Sequence, residues 1–177
     1  MLVDGKAIYL RPVVVDDVTD RYCAWLNDPE VNQYLETRFE SQTRERVLDY
    51  VRAQTGAPDA LLLAIVRKAD ELHLGNLRIG SIDRRHKTAT IALVIGEKAA
   101  WGQGAGTEAI QLATRHAFVA LDLVKLTARC YASNVGSIRA FERAGWVREG
   151  LQRAQFVSGG ERVDGVWLGC VRLLEGA

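Results

Sequence analysis

Alternating apolar and polar residues predict a short β-strand in the segment KAIYLRPV, residues 6–13, because successive side chains of a strand point to opposite faces. The next segment, VTDRYCAWLND, residues 18–28, instead has its apolar side chains three or four positions apart. That spacing is typical of a helix with one buried stripe, and Asp16 or Asp17 is placed to cap it.

Further apolar patterns predict a second helix and three more strands. TRERVLDYVRAQT, residues 43–55, has helical spacing, whereas ALLLAIVRK, residues 60–68, is a continuous apolar run of strand length. Such a run is typical of a strand that is covered on both faces. The segments at residues 74–85 and 88–97 follow as two strands, and the charged residues between them favour a hairpin.

The second half of the chain alternates between helices and strands. We expect a helix from about residue 107 to 121, a strand at 124–132, a short helix in 133–146, and strands at 146–150 and 165–173. The buried stripe of the first of these helices is predicted to comprise Ala109, Leu112, Ala113, His116 and Ala117. The element order predicts an α/β (α+β) fold with a mixed central sheet of about seven strands flanked by about four helices.

Composition narrows the function classes. A chain of 177 residues with 48% hydrophobic content is expected to form a single domain over residues 1–177. Its net charge of +1 is a balance of 23 basic and 22 acidic residues without a block of one sign, so we expect neither a nucleic-acid partner nor a membrane. Cys23, Cys130 and Cys170 lack metal-like spacing with histidine, which favours free thiols, no metal and a cytoplasmic location.

A glycine-rich segment, AAWGQGAGTEAIQLATRHAF at residues 99–118, lies between a predicted strand and a predicted helix. Backbone N–H groups and the positive end of a helix dipole at such a place can bind phosphate, provided that side chains do not block them. A flexible strand-to-helix turn would explain the same glycines. The spacing of Gly102, Gly104 and Gly106 fits neither a P-loop nor a dinucleotide fingerprint.

Two segments taken together carry a family resemblance. IGEKAAWGQGAGTEAI, residues 95–110, followed by NVGSIRAFERAGWVREG, residues 134–150, resembles the GNAT superfamily of acyl-CoA-dependent N-acetyltransferases. The similarity is greatest to its branch of ribosomal-protein alanine and amino-sugar acetyltransferases. The resemblance implies acetyl-CoA as cosubstrate and a sheet that splays between its fourth and fifth strands to admit the pantetheine arm.

The resemblance also assigns residues to the cofactor. It implies that a backbone N–H near Val94 or Ile95 meets the thioester carbonyl and that Asn134 binds the cofactor arm, although Asn134 could equally be a helix cap. Arg143 would lie near the adenosine phosphates, or would be a solvated helix residue. The pyrophosphate would bind the segment formed by Gln103, Gly104, Ala105, Gly106 and Thr107.

The departures from the family pattern concern proton transfer. Thr90 stands where many members have a glutamate base, and Phe141 stands where many have a tyrosine that protonates the departing thiolate. Ser137, which resembles a serine of the ribosomal-protein branch, is the predicted catalytic residue for that protonation, and it would also lie beside the cofactor. Without a base at position 90, the acceptor amine must be neutral by itself, which favours a primary amine of low pKa.

The segment WLNDPEVNQYLETRFESQT, residues 25–43, is similar to the acceptor region of acetyltransferases that act on nucleotide-linked amino sugars. Trp25, Tyr34 and Phe39 could stack on a base or sugar, and Arg38 could pair with a diphosphate, whereas Trp25 and Tyr34 could also be core residues. Glu36 and Glu40 are the first candidates if an enzymic base exists, although both could be solvated loop charges.

Other functions remain open at this point. The acceptor could be a protein N-terminus, as in the ribosomal-protein branch. The absence of family residues at positions 90 and 141 is also compatible with an acetyl-CoA-binding protein that has no catalytic activity. A homodimer is an assembly that the sequence neither supports nor excludes.

Overall fold

A computed structural model describes residues 3–173, which form one eight-stranded sheet with helices on both faces. The order of the strands in the sheet is β1-β2-β3-β4-β5-β6-β8-β7. The strands are β1 Val3–Asp4, β2 Ile8–Pro12, β3 Leu61–Arg67, β4 Leu72–Asp83, β5 Thr88–Ile95, β6 Lys125–Tyr131, β7 Val147–Ser158 and β8 Glu161–Val171. The helices are α1 Asp20–Asn27, α2 Pro29–Asn32, α3 Arg44–Thr55, α4 Ala105–Val119 and α5 Val135–Arg143. The predicted mixed α/β sheet is confirmed, with one strand and one helix more than expected.

The two faces of the sheet bury separate hydrophobic cores. One core lies under α4 and α5 and includes the whole predicted stripe of α4. The other core lies under α1, α2 and α3, where Val31, Val47 and Val51 pack with alternate residues of β3. We call the α4 and α5 side the donor face and the α1 to α3 side the acceptor face.

The sheet splays between β5 and β6, as the resemblance implied. These are the fourth and fifth of the strands predicted from the sequence, because the short strand β1 was not among them. These two strands are the parallel pair of the sheet, and they pair only from Thr88 to Thr90 with Lys125 to Thr127. Beyond Thr90, β5 continues to Ile95 alongside β4, and β6 continues to Tyr131 alongside β8. A gap therefore opens between the two strands, and its edges carry backbone groups that no neighbouring strand pairs.

The predicted cap of the first helix is wrong. Thr19 is the N-cap of α1, and its hydroxyl accepts the N–H of Tyr22 at 3.3 Å. Asp17 instead accepts the N–H of Val14 at 2.8 Å and pairs with Arg11. The carboxylate is used by the preceding turn, so the helix begins two residues later than the apolar stripe suggested.

One short helix, α2, was missed because its signal was read as a break. The segment NDP ends α1, yet Asp28 also caps α2 through the N–H of Glu30, with Pro29 at the first helical position. The final strands are longer than predicted and form a hairpin across Gly159 and Gly160, both at positive φ. Register shifts in β7 break the alternation that would have revealed its second half.

Candidate functional site

The glycine-rich loop ends in an uncapped helix terminus on the donor face. Gly104 is the N-cap residue of α4, with φ +89°, and no side chain caps this end. A Cβ at Gly104 would meet no protein atom within 4 Å. Glycine is therefore required by the left-handed backbone conformation, and the space in front of the first-turn amides is open to an anion.

The absence of a side chain at Gly106 has a different structural reason. The expectation that a Cβ there would obstruct phosphate is corrected. A Cβ at this position would lie 3.7 Å from side-chain atoms of both Ile95 and Leu93, in ordinary van der Waals contact inside the protein. The first turn of α4 therefore rests on the end of β5. Ala105 is buried, and Thr107 is half-buried in the same turn.

Trp101 connects this loop to the end of β5. Its indole Nε1–H donates to the backbone oxygen of Ile95 at 2.8 Å, although the ring is 43% exposed. Gln103 is held within the loop, because its amide donates to Ala99 O at 2.6 Å. Trp101 therefore attaches the loop to the splayed edge of the sheet, whereas Gln103 only stabilises the loop itself.

The direction of the backbone N–H groups separates the two residues predicted to meet the thioester. Gly96 N–H donates to Leu74 O on β4 at 2.9 Å, and Val94 is opposite Asn76 in the same register. Because N–H groups alternate in direction along a strand, the N–H of Val94 also points to β4. The N–H of Ile95 points to the gap, so of the two residues predicted, Ile95 is the one whose N–H could meet the thioester, and this role stays a prediction.

Ser137 and Cys130 meet on the donor side of the gap. Ser137 lies in the first turn of α5, and its Oγ is 3.4 Å from the Sγ of Cys130 on β6. Burial raises the pKa of the Cys130 thiol, and the contact with Ser137 partly opposes this change. Ser137 is half-buried, and its role in protonating the thiolate stays a prediction.

Asn134 and Arg143 lie at opposite ends of α5. Asn134 is its N-cap, with Oδ1 accepting the N–H of Ser137 at 3.1 Å, so the capping alternative holds. Arg143 is exposed in the last turn. Phe141 is 1% exposed and packs edge to face against Trp146, with ring centroids 4.8 Å apart. Their roles toward the cofactor stay predictions.

Thr90 on β5 stands where many family members have a glutamate base, and its hydroxyl already has a hydrogen-bond partner. Thr90 Oγ1 donates to Gly80 O on β4 at 3.1 Å. A threonine hydroxyl so placed has no basic group to offer an amine.

On the acceptor side, a tyrosine, a glutamate and an arginine converge. The hydroxyl of Tyr131 donates to Glu36 Oε1 at 2.8 Å and accepts from Arg38 at 2.8 Å. Arg38 also donates to Leu35 O and to Val157 O on β7, each at 2.7 Å. The turn after α2 is thereby attached to the ends of both β6 and β7.

Among the residues predicted to contact the acceptor, Trp25 is a core residue, and Tyr34 is half-buried with its hydroxyl donating to Ser133 O at 3.2 Å. Trp25 is 6% exposed, and its ring packs edge to face on His73, so the structure favours the core alternative over a stacking role. Phe39 is 63% exposed, and the guanidinium of Arg38 lies 4.2 Å from its ring centroid. Arg38 and Phe39 line an open cleft with a volume of about 560 Å³.

Sequence reasoning missed the structural roles of Trp101, Cys130 and Tyr131. Tyr131 alone had a visible signal, since it is an aromatic residue on the polar side of an alternating strand. It is 4% exposed although its strand neighbour Arg129 on that side is exposed.

The described residues show neither a metal site nor a membrane-spanning helix. Across residues 3–173, no group of three His, Cys, Asp or Glu side chains is arranged to hold a metal ion. No helix within these same bounds is long and apolar enough to cross a membrane. The three cysteines are free thiols.

Comparisons with known proteins agree with this geometry. A family model described as an acetyltransferase (GNAT) domain matches residues 7–147. The chain is 27% identical over 173 residues to the probable N-acetyltransferase YjcK of Bacillus subtilis (strain 168), covering 94% of this chain and 92% of that protein.

Solved structures share the fold. One is spermidine N-acetyltransferase from Vibrio cholerae in complex with CoA and spermine, with a TM-score of 0.85 at 17% identity, covering 95% of this chain and 97% of that one. Another is RimL, a ribosomal L7/L12 alpha-N-protein acetyltransferase in complex with coenzyme A, with a TM-score of 0.87 at 17% identity and coverage of 97% and 98%. The family match over most of the chain, together with this fold, shows that the protein belongs to the GNAT acetyltransferase family and is an acyltransferase.

Proposed function

We propose that the protein transfers the acetyl group of acetyl-CoA to a primary amine of low pKa, and that the amine belongs to a nucleotide-linked amino sugar. The observation that carries the proposal is the position of the uncapped end of α4 beside the splayed strands, at Leu93 and Ile95. A phosphate site and a slot for an extended arm thus occur together.

The donor face fits acetyl-CoA in three respects. The open space in front of Gly104 leaves the amides of Ala105, Gly106 and Thr107 for a pyrophosphate. The gap after Thr90 leaves unpaired strand edges for the pantetheine arm. The Ile95 N–H faces that gap, and a preorganised donor at a developing oxyanion is worth a few kcal/mol. Both the spermidine acetyltransferase and RimL structures contain CoA.

The chemistry at β5 supports an acceptor of low pKa. Thr90 supplies no carboxylate, and its hydroxyl is bonded to Gly80 O. An alkylamine with a pKa near 10.4 is almost wholly protonated at neutral pH, whereas an α-amino group near 7.7–8.0 is not. Amino groups on sugars are expected to be similarly weak bases. Polyamine and lysine side chains are therefore poorer acceptors than amino sugars or protein N-termini.

The cleft on the acceptor face supports a polar, anionic acceptor. Asn32 and Gln33 line it, and their amide nitrogens donate to backbone oxygens, which leaves the amide oxygens as acceptors for hydroxyl groups. Arg38 makes no ion pair within the described chain and retains N–H groups for a phosphate. Phe39 offers an exposed ring beside it. A diphosphate-linked sugar matches this set better than a peptide does.

The test is product detection with a panel of acceptors. Purified protein is incubated with acetyl-CoA and amino-sugar nucleotides, N-terminal peptides or spermidine, and intact-mass and NMR spectra report acetylated product. We expect turnover with an amino-sugar nucleotide at least tenfold above that with spermidine, reflecting the difference in amine pKa. Preferred turnover of peptides would support the protein N-terminus instead. Binding of acetyl-CoA without turnover of any amine would support the non-catalytic alternative.

A further inference from the structure

The hydroxyl of Tyr131 is held in one orientation on the acceptor side of the gap. It donates to Glu36 Oε1 and accepts from Arg38, each at 2.8 Å. Its ring stacks on Phe156, with centroids 4.0 Å apart and planes 13° from parallel, and is 4% exposed. Arg38 is itself anchored to the backbone oxygen of Val157. Three elements therefore fix where this phenol oxygen lies.

The register of the splayed strands places Tyr131 opposite the reacting region. Thr90 and Thr127 are the last paired residues, and Val94 and Tyr131 each lie four residues further along their strands. On β6, Leu126, Ala128 and Cys130 face the donor side, so the alternating residue Tyr131 faces the acceptor side. Ser137, which contacts Cys130, approaches the gap from the donor side. The two hydroxyls thus flank the gap from opposite faces.

Resting on the proposed function, we propose that Tyr131 and Glu36 form a proton relay for the acceptor amine. The phenol oxygen has two lone pairs and Arg38 occupies one, so the other can accept an N–H of the amine. Glu36 is the final proton acceptor, and Arg38 is a positioning residue.

The relay balances the reaction. As the amine nitrogen bonds to the acetyl carbon, it becomes cationic and must lose a proton. That proton passes to the oxygen of Tyr131 while the phenolic proton passes to Glu36 Oε1. The C–S bond breaks, and the thiolate departs with the bonding electron pair to be protonated by Ser137 or water. A carboxylate suffices as acceptor because a nitrogen that has bonded to the acetyl carbon is far more acidic than the free ammonium.

The surrounding charges favour Glu36 over its neighbour. Glu40 is paired with Arg46, whereas Glu36 accepts only a neutral phenol within the residues described. Burial raises the pKa of Tyr131, and of its two partners Arg38 opposes and Glu36 reinforces that change, so the phenol stays protonated and acts as a relay, not as a base.

Three further groups lie beside this pair. Arg38 and Tyr34 belong to the same segment as Glu36, and Arg129 on β6 lies over the ring of Phe156. Of these, only Arg38 bonds the phenol directly.

The kinetic test uses matched substitutions. Tyr131→Phe keeps the stacked ring and Glu36→Gln keeps the side-chain shape. Each is expected to lower kcat about 100-fold, the lower end for general acid–base catalysis, with little change in the dissociation constant of acetyl-CoA. The double variant is expected to fall no further than either single variant, because the two groups act as one unit. Tyr9→Phe and Glu71→Gln are the controls, because they remove another hydrogen bond between a tyrosine and a glutamate, on β2 away from the gap, and they should retain kcat within about twofold.

A second readout needs no substrate. The tyrosinate absorbance of Tyr131, measured as the difference between the wild-type protein and Tyr131→Phe, is titrated with and without Glu36→Gln. Removing the neighbouring carboxylate should lower the pKa of Tyr131.

Unchanged kcat in both single variants, or additive losses in the double variant, would overturn the relay while acetyl transfer by the wild-type protein stood. Equal losses in the Tyr9 and Glu71 controls would overturn it as well. If the wild-type protein binds acetyl-CoA yet acetylates no amine, the proposed function itself falls, and the relay with it.

Discussion

In the proposed function, the donor face and the acceptor face of the sheet bind their ligands in different ways. On the donor face, the groups that would face the cofactor are backbone N–H groups, placed by Gly104 and by the end of β5 at Ile95. On the acceptor face they are side chains, held by contacts such as those of Arg38 with Tyr131 and Val157. Backbone geometry leaves a short local signature in the sequence, whereas contacts between distant side chains leave none.

The difference also bears on specificity. Backbone amides recognise a phosphate whatever the neighbouring side chains are, so a donor site of this kind tolerates wide sequence change. An acceptor site made of side chains changes with each substitution. If the proposed function holds, we expect Glu36, Arg38 and Phe39 to determine the identity of the acceptor more than the fold does.

The largest expected effect is on the donor face. Gly104→Ala places a methyl group in front of the α4 amides and is expected to weaken acetyl-CoA binding about 10- to 100-fold, since each hydrogen bond to a charged group contributes about 1.5–3 kcal/mol. The measurement is isothermal titration calorimetry.

Gly145→Ala is the matched control. Gly145 has φ +90°, against +89° for Gly104, and neither site has a protein atom within 4 Å of the added Cβ. Both variants should lose similar stability through backbone strain, but only Gly104→Ala should lose affinity. Equal affinity in the two variants would place the pyrophosphate elsewhere.

The second prediction concerns the packing of the acceptor face. A Cβ at Gly96 would lie 2.0 Å from the ring of Trp25, so Gly96→Ala should lower the free energy of unfolding by about 2 kcal/mol through overpacking. Gly106→Ala, whose Cβ would sit 3.7 Å from its nearest neighbours, should leave stability unchanged or raise it. Urea unfolding measures both. Equal stability of the two variants would mean that Trp25 is not fixed against β5.

Ser137→Ala tests the donor side of proton transfer and should have a smaller effect. We expect kcat to fall about tenfold with acetyl-CoA affinity nearly unchanged, because a thiol with a pKa near 8.5 leaves with little assistance. Ser133→Ala, at an exposed serine just before α5, should match the wild-type protein in steady-state assays. A loss of affinity without a loss of kcat would make Ser137 a cofactor-binding residue only.

The smallest effect is the pH dependence of stability. Burial lowers the pKa of His73, whose Nε2 lies 2.9 Å from Gly75 O, and burial also lowers the pKa of His116. Both histidines bind a proton more readily in the unfolded chain, near pH 6.5, than in the folded one. Their contribution to the free energy of unfolding is therefore complete above that pH and is lost as the pH falls below it.

Urea unfolding should show a free energy of unfolding at pH 5.5 that is lower than that at pH 7.5 by on the order of 1 kcal/mol. In His73→Gln this dependence should be weaker, while substitution of the exposed His86 should preserve it. A protein more stable at the lower pH would contradict the sign.

The sequence predicted the donor face well for physical reasons. Apolar periodicity located α4 and its buried stripe, and the glycines marked the turn that precedes it. The sequence could not show in which direction each backbone N–H group of β5 points. The choice between Val94 and Ile95 depends on the register of β5 with β4, which is a pairing between segments far apart along the chain.

The acceptor face was predicted less well because its contacts span long separations. Tyr131 and Glu36 are 95 residues apart, and no local pattern joins them. Trp25 illustrates the opposite error, since an aromatic residue in a suggestive segment proved to be buried against Gly96 and His73. The short helix α2 was not predicted because its proline was read as the end of α1, whereas the same proline also begins α2.

The most direct test of the central claim is the stabilisation of the folded protein by acetyl-CoA. A ligand present at 100 times its dissociation constant stabilises the native state by about 2.7 kcal/mol, which thermal unfolding detects readily. We predict this stabilisation with acetyl-CoA and its loss in Gly104→Ala. Stabilisation by ATP or NADH but not by acetyl-CoA would contradict the account.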